Sequence, residues 1–195
     1  MAERYFSADF HFNSTCQIKE KYRPFRSVES MNKTIIHNCN QVFDNNPKNG
    51  GNVLIHLGDF IQRGNDREYK GVKVNPCEFI NQLHAQFVNI EGNHDNNNKV
   101  VSAGDLMYTQ IGEFYVSMGH LPSYLHPNVE RLQHIHLCGH VHNEWRQYYG
   151  GDGRHHYDKE HNIHNFNVGI DVWGFAPVSE GKLLNYIRKV LKYHR

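Results

Sequence analysis

The sequence predicts an α/β fold built in layers. Short apolar runs of strand length alternate with stretches of helical periodicity, and several of the apolar runs stop abruptly on glycine followed by aspartate, asparagine or histidine. The chain has 195 residues, 38% of them hydrophobic, enough for one sizeable core, so a single domain over 1–195 is expected.

In chain order, Arg4 to Asp9 alternates weakly and ends on an acidic residue, as a short strand does. Residues 13–26 are irregular, with Pro24 as a breaker. Ser27 opens a helix. Val28, Met31, Ile35, Ile36, Cys39, Val42 and Phe43 share one face, Ser27 suits the N-cap, and Glu29 suits the positive end of the dipole. Asn45-Asn46-Pro47 and then Gly50-Gly51 end it. Val53 to Leu57 reads as a buried strand running into Gly58-Asp59, and 62–74 as a polar loop. Asn75-Pro76-Cys77-Glu78 has the form of a helix start, with Ile80 and Leu83 facing inward.

Phe87 to Glu91 is the next strand and enters Gly92-Asn93-His94-Asp95. The stretch 97–112 is predicted as loop. Glu113 to Met118 alternates and leads to Gly119-His120, and Gln133 to Cys138 leads to Gly139-His140-Val141-His142. Residues 146–165 are polar and rich in glycine and histidine, which predicts a loop. Asn167 to Val172 is expected as a last core strand, and 180–193 as a terminal helix.

Totals exclude several classes. The net charge of +1 gives no global pull toward nucleic acid or membrane. No apolar run approaches the ~20 residues of a spanning helix, and Met1 to Tyr5 lacks a targeting pattern, so a cytoplasmic protein is expected. Cys16, Cys39, Cys77 and Cys138 are widely spaced, which fits reduced thiols better than a disulfide framework.

The chemistry lies at the strand ends. Asp9-Phe10-His11, Gly58-Asp59, Gly92-Asn93-His94-Asp95, Gly119-His120 and Gly139-His140-Val141-His142 each place metal-capable side chains just after a predicted strand. Ligands collect beyond the carboxyl ends of strands in layered α/β proteins, so the five ends can converge. Two metal ions need a shared carboxylate and terminal ligands for each, and Asp, His and Asn donors suit manganese, iron or zinc.

This series, D-x-H, GD, GNHD, GH and GHxH, resembles the calcineurin-like metallophosphoesterase superfamily. Arg23-Pro24-Phe25, Asn167 to Trp173 and Pro177-Val178-Ser179 are similar to a small uncapped branch of it. The resemblance implies a four-layer αββα sandwich of two mixed sheets flanked by helices, with a dinuclear metal site at one sheet edge. It implies Asp9, His11 and His142 on the first metal, Asn93, His120 and His140 on the second, and Asp59 bridging them. It implies His94 as the acid at the leaving group, with Asp95 orienting it. The cofactors it implies are two divalent metal ions, and the reaction is attack on a phosphate ester by water activated between them.

The chain departs from the pattern in places. Gly58-Asp59-Phe60-Ile61-Gln62-Arg63-Gly64 is similar to the GDxxDRG element of the protein-phosphatase branch, but Gln62 stands where Asp is usual. Arg63 is either a bidentate phosphate clamp or an exposed loop residue. Asn13-Ser14 replace a Gly-His pair common after the first motif. His155, His156, His161 and His164 form a second cluster, read as a solvated loop at the rim rather than a further metal site. Tyr148 and Tyr149 offer either stacking on a substrate or packing.

The expected substrate is a small phosphorylated molecule or nucleotide, chosen by loops 62–74, 97–112 and 143–165. Two alternatives are a nuclease acting on DNA or RNA ends, which the charge does not favour, and a non-catalytic metal-binding module. His94 and Asp95 discriminate the latter, since neither is needed merely to hold metal.

Overall fold

The computed structural model describes residues 2–19, 23–44, 51–62, 75–125 and 135–193. Its elements are β1 (Glu3–Ser7), α1 (Cys16–Lys19), α2 (Val28–Asp44), β2 (Asn52–Leu57), α3 (Cys77–Ile80), β3 (Gln86–Ile90), β4 (Leu106–Ile111), β5 (Phe114–Gly119), β6 (Ile135–Cys138), α4 (Glu144–Tyr149), β7 (His155–Asp158), β8 (Ile163–Asn167), β9 (Val178–Ser179) and α5 (Glu180–Tyr193).

The strands form two mixed sheets, ordered β3-β2-β1-β9 and β4-β5-β6-β8-β7. Strands β1, β2 and β3 run parallel, and so do β5, β6 and β8. Parallel neighbours deliver their carboxyl ends to one edge, which is what brings distant motifs together.

Alternation along β1 explains the layering. Phe6 and Ala8 point into a core shared with Leu57, Met118, Leu137 and Phe166, between the sheets. Tyr5 points the other way, into a core with Met31, Ile35, Cys39 and Phe43 of α2. Ser27 caps α2 by accepting the N–H of Ser30 at 3.1 Å. On the outer face of the second sheet α4 adds a small cluster of Cys138, Val141 and Trp145. Leu183 and Ile187 of α5 close the intersheet core. The arrangement is the expected pair of mixed sheets flanked by helices, with α4 a short fourth layer.

Several elements differ from expectation. The helix at Cys77 is one turn long, because the chain must enter β3 at Gln86; Phe79 is buried there and Leu83 follows from the turn. The stretch 97–112 contains β4, an edge strand paired to β5, whose half-exposed pattern hides it from an apolar-run criterion. The predicted loop 146–165 is α4, β7 and most of β8, built on aromatic and histidine side chains rather than aliphatic ones. The last core strand ends at Asn167 instead of spanning 167–172, and Ile170–Val172 is a 3₁₀ turn. Asn167 turns the chain by accepting the Gly169 N–H on its own side chain at 2.8 Å.

Candidate metal centre

Three of the five predicted strand ends deliver their side chains to the common edge in the same way. Among the described residues nine non-glycine positions have positive φ, and five of them are candidate ligands: Asp9, His11, Asp59, His140 and His142. Such a conformation costs an L-residue about 1 kcal/mol or more, so the surrounding contacts must enforce it. The enforcement comes from the residues between. Phe10, Phe12, Phe60 and Val141 are buried in the core, while Asp9, His11, Asp59, His140 and His142 face the edge.

Asp59 sits at the middle. Its Oδ2 lies 3.5 Å from His11 Nε2, 3.3 Å from His120 Nε2 and 3.9 Å from His94 Nε2. Its Oδ1 accepts the His94 backbone N–H at 2.9 Å. On one side, His11 Nε2 is 3.9 Å from Asp9 Oδ1, and the His11 and His142 rings stack with centroids 5.0 Å apart. On the other, Asn93 Oδ1 is 3.0 Å from His120 Nε2 and 3.2 Å from His140 Nδ1. Three overlapping groups, Asp9-His11-His142, His11-Asp59-His94 and Asp9-Asp59-His120, hold their donor atoms within 4.8 Å of one another.

The far nitrogens of the imidazoles are already fixed. His120 Nδ1 meets the Leu57 carbonyl at 2.8 Å, and His142 Nδ1 meets Asp171 Oδ2 at 2.8 Å, so in each ring Nε2 is left for the centre. Asp9 accepts the His140 backbone N–H on both oxygens, at 3.1 and 3.0 Å. Glycine is required where the turns pack against these groups. A Cβ on Gly92 would lie 2.3 Å from Asp59 N, and one on Gly139 would lie 2.7 Å from Asp9 Oδ2.

Burial and charge act against each other here. Burial raises the Asp9 carboxyl above its usual range and drives His11 well below its own. Burial also pushes Asp59 upward, but the hydrogen bond and charge of His120, with help from His11 and the His94 N–H, hold it well below the usual carboxylate range. Burial pulls His120 down, yet the hydrogen bond it donates to Asp59 and the charges of Asp9 and Asp59 raise it to about 9. His140 is lowered by burial and then by the charge on His120. Of these three imidazoles only His120 is favoured in its protonated form.

Divalent cations fit this set. Both ring nitrogens of His11 are buried without a hydrogen-bond partner, a cost that coordination at Nε2 removes in part. The donors are carboxylate, imidazole and amide oxygen, which suit borderline divalent ions. The groups open onto a cleft of about 220 Å³, whose rim includes Cys16, Gln17, Gln62 and Glu144.

Comparison with known proteins gives the same answer. The family model described as calcineurin-like phosphoesterase matches residues 6–178. The chain belongs to the calcineurin-like phosphoesterase family. An uncharacterised protein of Methanocaldococcus jannaschii is 38% identical over 95 residues, which are 49% of this chain and 48% of that protein, so the chain matches about half the length of that relative. A protein of unknown function from Aquifex aeolicus has a similar fold, with a TM-score of 0.63 at 21% identity over 97% of this chain and 100% of that one. A phosphoesterase from E. coli superimposes with a TM-score of 0.48 at 14% identity, over 85% and 78% of the two chains.

All seven side chains that match the family's metal motifs meet at the edge: Asp9, His11, Asp59, Asn93, His120, His140 and His142. His94 is there too, partly exposed on the cleft. Asp95 behaves differently from expectation. Its Oδ1 accepts the N–H of Phe60, and its Oδ2 accepts those of Asp59 and Gly92 and the amide of Asn89, at 2.8–3.0 Å. It braces the two motif loops rather than orienting the His94 ring, because two turns full of unpaired N–H groups converge on it. Arg63 lies outside the described residues. His155 and His156 lie on β7 and His164 on β8, while His161 stands in the turn between them.

Three residues that contact the ligands had no role in the sequence reading: Arg23, Asn167 and Asp171. Asn167 donates to the His142 carbonyl at 2.8 Å, and Asp171 holds the His142 ring. The signal was present in the Arg23-Pro24-Phe25 and Asn167 to Trp173 segments, but 148 residues separate Arg23 from Asp171.

Proposed function

We propose that this member of the family is a dinuclear metal-dependent phosphoesterase that cleaves small phosphomonoesters or phosphodiesters, nucleotides among them. The supporting observation is the place of Asp59: one carboxylate oxygen stands 3.5 Å from a ring nitrogen of one ligand group and 3.3 Å from a ring nitrogen of the other. Asp9, His11 and His142 would hold the first ion, Asn93, His120 and His140 the second, and Asp59 both; manganese, iron or zinc suit these donors. Such ions lower the proton affinity of water and neutralise phosphate oxygens.

The protein's own groups complete the chemistry. His94 Nε2 faces the cleft 3.9 Å from Asp59, where it can donate a proton to the departing ester oxygen. Asp95 keeps Asp59 and the His94 backbone in register through the N–H groups it gathers. Gln62, on the cleft rim, takes the hydroxyl of Ser14 on Oε1 at 2.8 Å, which leaves its amide N–H groups for the substrate.

The test is turnover of an aryl phosphomonoester and an aryl phosphodiester with added manganese. Activity on at least one, lost on chelation and restored by manganese, is expected. Protein that carries two ions per chain yet cleaves neither ester would overturn the reading.

A further inference from the structure

Beneath the ligands lies a buried ion pair, Arg23 with Asp171. Their side chains are 1% and 6% exposed, and the contact is a fork: Arg23 Nε donates to Asp171 Oδ1 and Nη2 to Oδ2, each at 2.8 Å. Both partners reach on to the centre. Arg23 Nη2 also donates to the Asp9 carbonyl at 2.7 Å, and Nη1 to the Phe10 carbonyl at 3.0 Å. Asp171 Oδ2 also meets His142 Nδ1 at 2.8 Å. One ion pair therefore joins the left-handed Asp9–His11 turn to the ring of His142 across the two sheets.

The other ligand group has different backing. His120 leans on a neutral carbonyl, that of Leu57. His140 is partly exposed and meets Asn93, itself exposed, at 3.2 Å. Behind His120 stands that carbonyl rather than a carboxylate, and the Glu144 carboxylate that acts on His140 lines the cleft. A carboxylate behind a ligating imidazole fixes its tautomer and raises its basicity, and a rigid fork holds a turn at little further entropic cost.

Resting on the dinuclear reading above, we propose that Arg23 and Asp171 are positioning residues that pre-shape the first metal position alone. The two positions then fill separately, the Asp9–His11–His142 position first and more tightly. Burial of the pair is consistent with this. A buried ion pair is weak evidence for stability in its own right, but here each charge is tied to a ligand-bearing segment.

The experiment is equilibrium dialysis of the full chain against manganese(II), with electron paramagnetic resonance of the sample holding one ion per chain. Wild type is expected to take up two ions in two affinity classes. In Asp171→Asn the tight class should weaken about 10–100-fold while the weak class stays within about threefold. The one-ion spectrum should change to that of an ion at the second position. Arg23→Lys, which keeps the charge but not the fork, should give the same selective loss to a smaller degree, and it serves if Asp171→Asn does not fold. In a His142→Ala background Asp171→Asn should add less than it costs in the wild type, because only the Arg23 link to the Asp9–His11 turn remains to be lost. Equal weakening of both classes, an unchanged tight class, or full additivity with His142→Ala would each overturn the proposal while leaving the dinuclear reading intact. Wild-type protein that binds no manganese would overturn both.

Discussion

Two regions of this molecule are rich in histidine, and they use it in opposite ways. At the sheet edge, His11, His120 and His142 turn ring nitrogens toward carboxylates and toward each other, and His11 has no hydrogen-bond partner at either nitrogen. On the β7–β8 hairpin the same residue type is consumed locally. His155 Nε2 meets His164 Nδ1 at 2.9 Å, His164 stacks on Tyr157, and His161 Nδ1 bonds Asp158 at 2.9 Å. His156 packs among Tyr124, Trp145 and Tyr149. The groups compact enough to hold an ion, among the described residues, all lie at the edge. Histidine count therefore does not mark a metal site; donors of several side chains gathered within ion-binding distance on an enforced backbone do.

The comparison breaks most easily at Asp59. Asp59→Ala should reduce turnover by at least about a thousandfold, the several kcal/mol that metal-assisted catalysis supplies, and bound manganese should fall below two ions per chain. Retention of both ions and activity would remove the distinction drawn here. His94→Ala comes next. It should keep both ions and lose about a hundredfold or more in kcat, the scale of one general acid. An unchanged kcat would take the chemical role from His94 and favour a metal-binding module.

The pH dependence sharpens the comparison further. In metal-free protein His120 is raised to about 9 from 6.5, so its contribution to stability is complete below pH 6.5 and is lost as pH rises through about 9. The same proton must leave for an ion to bind, so manganese affinity should rise about tenfold per pH unit toward that value. Isothermal titration in buffers of different ionisation enthalpy reads the released proton directly; no release at pH 7 would contradict the ion pair with Asp59. The smallest effect belongs to the hairpin. His161→Ala should cost only about 0.5 kcal/mol and leave the metal count at its wild-type value, measured by thermal unfolding and elemental analysis. A lost ion there would make the hairpin a site after all.

Much of the edge was legible because the candidate ligands follow strand-like stretches that stop on glycine or an acidic residue, most clearly at Val53 to Asp59. Strand β4 was not, since an exposed edge strand needs apolar residues on one face only. The β7–β8 hairpin was not, because two of its four cross-strand pairs, His155–Phe166 and Tyr157–His164, are rings and none is a pair of aliphatic side chains. Asp95 stands beside His94 in sequence, and adjacency suggested contact; its carboxylate instead gathers the N–H groups of Asp59, Phe60 and Gly92. Arg23 and Asp171 illustrate the remaining gap. A contact spanning 148 residues leaves no periodic trace, and only the strand order places the two together.

The interleaving of Phe10, Phe12, Phe60 and Val141 with the ligands has a consequence for how the protein acquires its ions. Those four anchors are packed by the protein's own apolar side chains, with Phe10, Phe12 and Phe60 in mutual ring contact at 5.2–5.8 Å. A turn set by apolar packing should keep its shape without a cation, unlike small zinc modules that are unfolded when empty. Exchange of one cation for another would then be a refilling step that leaves the fold unchanged.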